Sequence, residues 1–311
     1  MRASHDVRDE APSGAQRRIS YGDQHATIVE VGAGVREYRV GDRDVFHPYG
    51  EGEITPAYHG SVLVPWPNRI ADGRYEFDGV ACQLPITEPE RQTALHGLAT
   101  WARWTTVAHE PDRVVLTLSP PPMPGYPFFL DTSVEYSLGA AGLRVRATST
   151  NTGAHACPYA IGFHPYAAAA PGTTLDECTL RLDVRRRLVC DDRLIPAGVE
   201  AVEAGPYDFS TPQALAGHRL DDAFTDVTLD RDGRSWLRLR GADGRTVAVW
   251  ADANFGYWQV YSGDFLAAPH TRRGLAAEPM TAAPNAFRSG DGLIRLDPGA
   301  SVTTTWGATL L

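Results

Sequence analysis

Leu143-Arg144-Val145-Arg146-Ala147-Thr148 alternates apolar and polar side chains without a break. Successive side chains of an extended chain point to opposite faces, so this period of two predicts a strand with one apolar and one polar face. Working outward, branched or aromatic residues on alternate positions mark further strands. With the quoted stretch, they are expected at 27–31, 35–40, 113–119, 132–138, 143–150, 178–184, 235–240, 245–250 and 301–306. Gly, Pro and Asp fall in nearly every gap, and 30 glycines with 23 prolines supply the turns that so many strands need. Amphipathic helices are scarce; the best candidate is a short turn near 212–216. Many strands and few helices predict an all-β chain folded as a large antiparallel β-sandwich rather than βαβ units.

The polar opening, residues 1–20, reads as a loose tail before a single domain spanning 21–311. It lacks the apolar core of a secretory signal, and no apolar run approaches the roughly 20 residues of a membrane span, so a cytoplasmic location is expected. Segments 119–127 and 167–174 read as surface loops. A net charge of −9 argues against nucleic acid or an anionic membrane as the main partner, because both require a basic surface. The four cysteines, Cys82, Cys157, Cys178 and Cys190, form no CxxC pair and no zinc-like spacing. They read as small buried hydrophobes in a reducing compartment, with one long-range disulfide as the alternative. Gly32-Ala33-Gly34 begins like a dinucleotide fingerprint, but Glu37 stands where the third glycine belongs, so the stretch reads as a turn. No phosphate loop, HExxH or GxSxG is present. His155 and His164 lie nine residues apart, without the short spacing of many metal pairs. No cofactor or metal is expected.

A dispersed set of polar residues carries the chemistry. In Leu63-Val-Pro-Trp-Pro-Asn-Arg-Ile, two prolines stiffen the chain around Trp66 and present Asn68 and Arg69. Trp66 offers a flat face suited to the C–H face of a sugar ring. Arg69 offers a rigid fork of donors, or else clamps buried carbonyls. His96 in Leu-His-Gly-Leu and His164 in Ile-Gly-Phe-His-Pro-Tyr are core histidines or proton carriers; partial burial is expected to bring the pKa of His164 near neutrality. Asp221 fits a turn or a ligand role. Glu278, in Leu-Ala-Ala-Glu-Pro-Met, is a carboxylate in apolar company that must find partners.

These segments, in this order, resemble the aldose 1-epimerase (galactose mutarotase) family from about Thr27 to Trp306. The most specific parts are Asn68-Arg69-Ile70 with Gly73-Arg74-Tyr75 and Gly79, then His96-Gly97, His164-Pro165-Tyr166, Asp221 with Phe224, and Glu278 with Pro284-Asn285. The Pro-Trp-Pro-Asn-Arg-Ile form and Glu88-Pro89 look most like a bacterial subgroup that includes sulfoquinovose mutarotase-like proteins.

The resemblance implies a β-supersandwich and interconversion of sugar anomers, with a monosaccharide as the partner. It also implies Glu278 as base, His164 as acid, and His96 near the ring oxygen. Arg69, Asp221 and Gln259 would be substrate contacts. The chain departs from many relatives in having Asp222 where they carry histidine and Ala167 where an aromatic often stands. Three other readings stay open. A charged-sugar epimerase would use Arg74, Arg91 or Arg103 as its extra cation. The others are a non-catalytic carbohydrate-binding module and a glycoside hydrolase using Asp221 with Glu278.

Overall fold

The computed structural model describes residues 11–311. Two large antiparallel sheets, of twelve and nine strands, dominate it. The central hairpin of the nine-stranded sheet is Leu130–Gly139 paired with Gly142–Asn151, which contains the alternating stretch. Its inward residues Val134, Tyr136, Leu143, Val145 and Ala147 are buried in the main core. That core also takes side chains from the twelve-stranded sheet, Ile28, Tyr38, Phe46 and Trp258 among them, so the two sheets share one apolar interior. Apolar burial on this scale is the main stabilising term of such a fold.

The predicted strands all recur with shifts of a few residues at their ends, and 35–40 recurs as Val35–Val40. The Gly32-Ala33-Gly34 turn joins Gln24–Val29 to that strand, with Gly32 at φ 72°. Three expectations need correction. The loose tail ends earlier, because Gln16–Tyr21 is a strand paired with Gln24–Val29. Residues 1–10 lie outside the described residues. The helical turn near 212–216 is instead the short strand Gln213–Ala214, held at the sheet edge by Thr179–Leu182. Half of the loop expected at 167–174 is interior: Tyr166–Ala168 is a buried strand, and Ala169 and Ala170 are buried too. Alanine-rich sequence carries no periodicity, which hid it. All four cysteines are free thiols, two of them buried and two half-exposed.

Strands buried on both faces escaped the reading by alternation. Gly274–Met280 is buried along its whole length and lies between Tyr166–Ala168 and Tyr257–Tyr261. Asp221–Val227 continues the sheet beyond Tyr257–Tyr261. This part of the sheet positions the site. Among the described residues, no helix is long and apolar enough to cross a membrane.

Candidate active site

Register places three polar side chains together. Gln259 pairs directly with Glu278, and Asp221 pairs with Tyr261 one step along the same face. Gln259 Nε2 donates to Asp221 Oδ1 at 2.7 Å. His164 enters from the segment between Gly162–Phe163 and Tyr166–Ala168, both paired to the strand of Glu278. Its Nε2 lies 3.3 Å from Glu278 Oε1.

His96 and Asn68 flank a separate two-stranded sheet, Arg69–Ala71 with Thr93–Leu95. Both have left-handed backbones, at φ 58° and 55°. For a histidine this is strain on the order of 1 kcal/mol or more, the kind that gathers at functional sites. They lock each other: His96 N–H donates to Asn68 O, and Asn68 N–H donates to His96 Nδ1 at 3.2 Å. The second bond needs a lone pair on Nδ1, so a neutral His96 carries its proton on Nε2. Gly97, at φ 76°, allows this geometry, since a Cβ there would sit 2.2 Å from Val64 O. Gly97→Ala is therefore expected to cost roughly 1–3 kcal/mol in a urea titration and to lower whatever activity depends on His96. Asn285 fixes the same strand from behind, its N–H donating to Arg69 O and its Oδ1 accepting from Ala71 N–H.

Arg69, Asn68, His96, His164, Asp221, Gln259 and Glu278 line one cavity of about 360 Å³, with Tyr58, Tyr166, Tyr261 and Phe265 among its aromatic walls. Trp66 is not there. It is buried against Phe287 and donates its indole N–H to Ala94 O, so it is core rather than a sugar platform. Tyr58 and Tyr166 line the cavity and supply aromatic surface instead.

Glu88 is the residue that sequence reasoning missed. Arg69 Nε and Nη2 form a bidentate pair with it at 2.8 and 3.0 Å, and Thr93 and Arg91 also donate to it. Burial alone would raise its pKa, but these donors hold it below the usual carboxylate range. Arg69 is thus a clamp, as the alternative reading had it, but on a carboxylate rather than on carbonyls. Its place in the cavity wall leaves it open to a ligand as well. Asp222 does not line the cavity and accepts from Arg187 Nε at 2.7 Å.

Burial controls the electrostatics. It pushes Glu278 well above the ordinary carboxylate value, with Asp221 adding to the rise and Arg69 opposing it. It pushes His164 down to about 3, with Arg69 contributing. The expected near-neutral pKa for His164 is therefore corrected: the ring is buried at the cavity wall, more deeply than the partial burial expected. His96 is lowered for the same reason. Burial thus disfavours both the Glu278 carboxylate and the His164 imidazolium, and favours a carboxyl beside a neutral ring. A single proton shift across 3.3 Å converts this into carboxylate and imidazolium without changing the total charge. Glu278 Oε2 and His164 Nδ1 are buried with no hydrogen-bond partner among the described residues. By spacing, His96, His164 and Glu278 have the make-up of a metal triad, but the Arg69 guanidinium in the same cavity opposes a cation there.

The depressed histidines have a measurable consequence. His47, His59, His96 and His164 are all held below 6.5 in the fold. The unfolded chain therefore binds more protons below pH 6.5, and stability falls as pH drops, by about 1.4 kcal/mol per pH unit for each histidine fully engaged. Glu278 and Asp221, both raised by burial, offset part of this between pH 4.5 and 6.5. The Tm is expected to be lower at pH 5 than at pH 7, as thermal denaturation at the two pH values checks.

Comparison with known proteins places this fold in a family of carbohydrate isomerases. The aldose 1-epimerase family model matches residues 18–308. The Escherichia coli (strain K12) protein YihR, described only as uncharacterized, is 36% identical over 288 residues, covering 92% of this chain and 90% of its own. The aldose 1-epimerase of the same organism is 29% identical, covering 70% of this chain and 66% of its own. A solved aldose epimerase homologue from C. elegans superposes with a TM-score of 0.84 at 19% identity, covering 96% of this chain and 98% of that one. The chain belongs to the aldose 1-epimerase family. It is an isomerase that acts on carbohydrates.

Proposed function

We propose that this protein interconverts the α and β anomers of an uncharged hexose, with Glu278 and His164 as the proton-transfer pair. The observation that carries this is the buried 3.3 Å contact between them, with Glu278 Oε2 unpartnered among the described residues. Ring opening starts from the carboxylate–imidazolium form. Glu278 takes the proton of the C1 hydroxyl, and the released O–H electron pair becomes the second bond of the C1 aldehyde. The C1–ring oxygen bond breaks, and its electron pair takes a proton from His164. The enzyme is then left as protonated Glu278 and neutral His164, the form that burial favours. Rotation about C1–C2 followed by the reverse transfers closes the ring on the other face. Atoms and charge balance, and no further reactant enters.

His96, with its proton on Nε2, is suited to donate to the ring oxygen. Arg69, Asn68, Asp221 and Gln259 are suited to hold sugar hydroxyls. The charge balance of the wall favours a neutral substrate. Glu88, Glu90 and Asp221 oppose Arg69 and Arg91 even when Glu278 is protonated, and Arg91 is already engaged by Glu88. Arg74 and Arg103, the other cations considered for a charged sugar, do not line the cavity. Polarimetry of freshly dissolved α-D-glucose and α-D-galactose tests this. Accelerated equilibration that sugar phosphates and sulfosugars inhibit poorly is expected. Acceleration confined to the charged sugars would overturn the substrate reading, and acceleration of none would overturn the activity.

A further inference from the structure

A second cluster of ligand-type side chains lies outside this machinery. His47, His59 and His270 each bring one ring nitrogen within 4.8 Å of the other two. His47 Nε2 and His270 Nδ1 are 3.0 Å apart. His59 is 1% exposed, and its Nε2 has no hydrogen-bond partner among the described residues. An unpartnered buried ring nitrogen is costly unless something binds it. The other nitrogen, Nδ1, donates to Pro56 O, which leaves Nε2 with a bare lone pair, and the His59 ring centroid lies 5.8 and 5.7 Å from those of His47 and His270.

We propose that His47, His59 and His270 form a site for a divalent transition metal, Zn²⁺ above all, distinct from the sugar cavity. Three imidazoles suit zinc, copper or nickel far better than calcium or magnesium. Zinc–nitrogen bonds of about 2.0–2.1 Å place tetrahedral ligands roughly 3.3 Å apart. The His47–His270 pair is close to that separation once its shared proton leaves, and the remaining distances close by at most about 1.5 Å.

The surrounding groups also fit. Metal-bound histidines characteristically donate their other N–H to a carbonyl or carboxylate. Here Pro56 O serves His59, and Glu53 Oε2 lies 3.6 Å from His270 Nε2. Burial keeps His47 and His59 neutral near pH 7, so their lone pairs are free. The nearby Arg273 opposes a cation, and Glu53 counters it. His47 and Glu53 are only partly buried, which gives an ion a way in. The Tyr166 ring stacks on His59 at 3.6 Å and lies 5.1 Å from His164, so a metal here would brace one wall of the sugar site.

The test is calorimetric titration of chelator-treated protein with Zn²⁺, repeated with Co²⁺ to read the ligand field by visible absorption. One equivalent is expected to bind wild type and to raise Tm. His270→Gln and His47→Gln should abolish saturable binding, and Glu53→Gln should weaken it about 10–100-fold. His164→Asn, which breaks the other triad, should leave binding intact. His47 is partly exposed, so its variant stays informative if the His270 variant is poorly folded. No binding to wild type would overturn the proposal. So would undiminished binding in the folded His47 variant, or loss confined to His164→Asn.

Discussion

Glu278→Gln is expected to lower mutarotation by about 10²–10⁴-fold, the contribution of one positioned acid or base, without unfolding the protein. The amide keeps the size and planarity of the side chain and its reach to His164. It cannot accept and return a proton. Stability is expected to move the opposite way from activity. Burial raises the folded pKa of Glu278 above its unfolded value. The unfolded carboxyl therefore ionises first, and folding stability is lost as pH rises from about 4.5 toward the raised folded value. An amide does not ionise, so the variant escapes that loss. Its Tm at pH 8 should equal or exceed that of wild type, while polarimetry shows little beyond the spontaneous rate. A variant that is both inactive and much less stable would mean that Glu278 serves the fold first.

Glu88→Ala is expected to produce the largest loss of stability at the site. Glu88 and Arg69 are 6% and 9% exposed, and they exchange two hydrogen bonds. Removing the carboxylate strands a buried guanidinium, which typically costs about 3–5 kcal/mol. Arg91 and Thr93 lose an acceptor at the same time. Arg69 would also lose its fixed orientation, so KM should rise even where the variant still folds. Replacing both partners by apolar residues, Arg69→Met with Glu88→Leu, should recover much of the stability, since no unpaired charge remains. It should not recover activity. Denaturant titrations of the singles and the double, alongside KM, separate Glu88 as the group that positions Arg69 from Arg69 as the proposed substrate contact.

The legibility of each segment in the sequence follows from which of its faces are wet. Strands with one wet face announce themselves by alternation, as Leu143 to Thr148 does. The site strands do not. Gly274–Met280 is buried on both faces, so its pattern is uniform, and Glu278 stood out only as a carboxylate in apolar surroundings. Part of the family signature turned out to be turn chemistry. Asp78 and Gly79 both have positive φ and close the hairpin of Arg74–Phe77 with Val80–Gln83, away from the cavity. Trp66 was misread because aromatic character does not say which side of a chain a ring falls on. Glu88 was visible only as part of Glu88-Pro89; its pairing with Arg69, 19 residues earlier, exists only once the fold closes. The pKa of His164 depended on how complete its burial was, which a sequence does not encode locally.

The most direct test uses glucose or galactose carrying ¹⁸O at C1, dissolved in unlabelled water with the enzyme and followed by ¹³C NMR. Ring opening and closure within the site never breaks the C1–O1 bond. Rapid equilibration of the anomers with the label retained is therefore the predicted result. Label lost in step with epimerisation would mean that water attacks C1, as in a hydrolase using Asp221 and Glu278. Anomers that equilibrate no faster than in buffer would contradict the mutarotase mechanism outright.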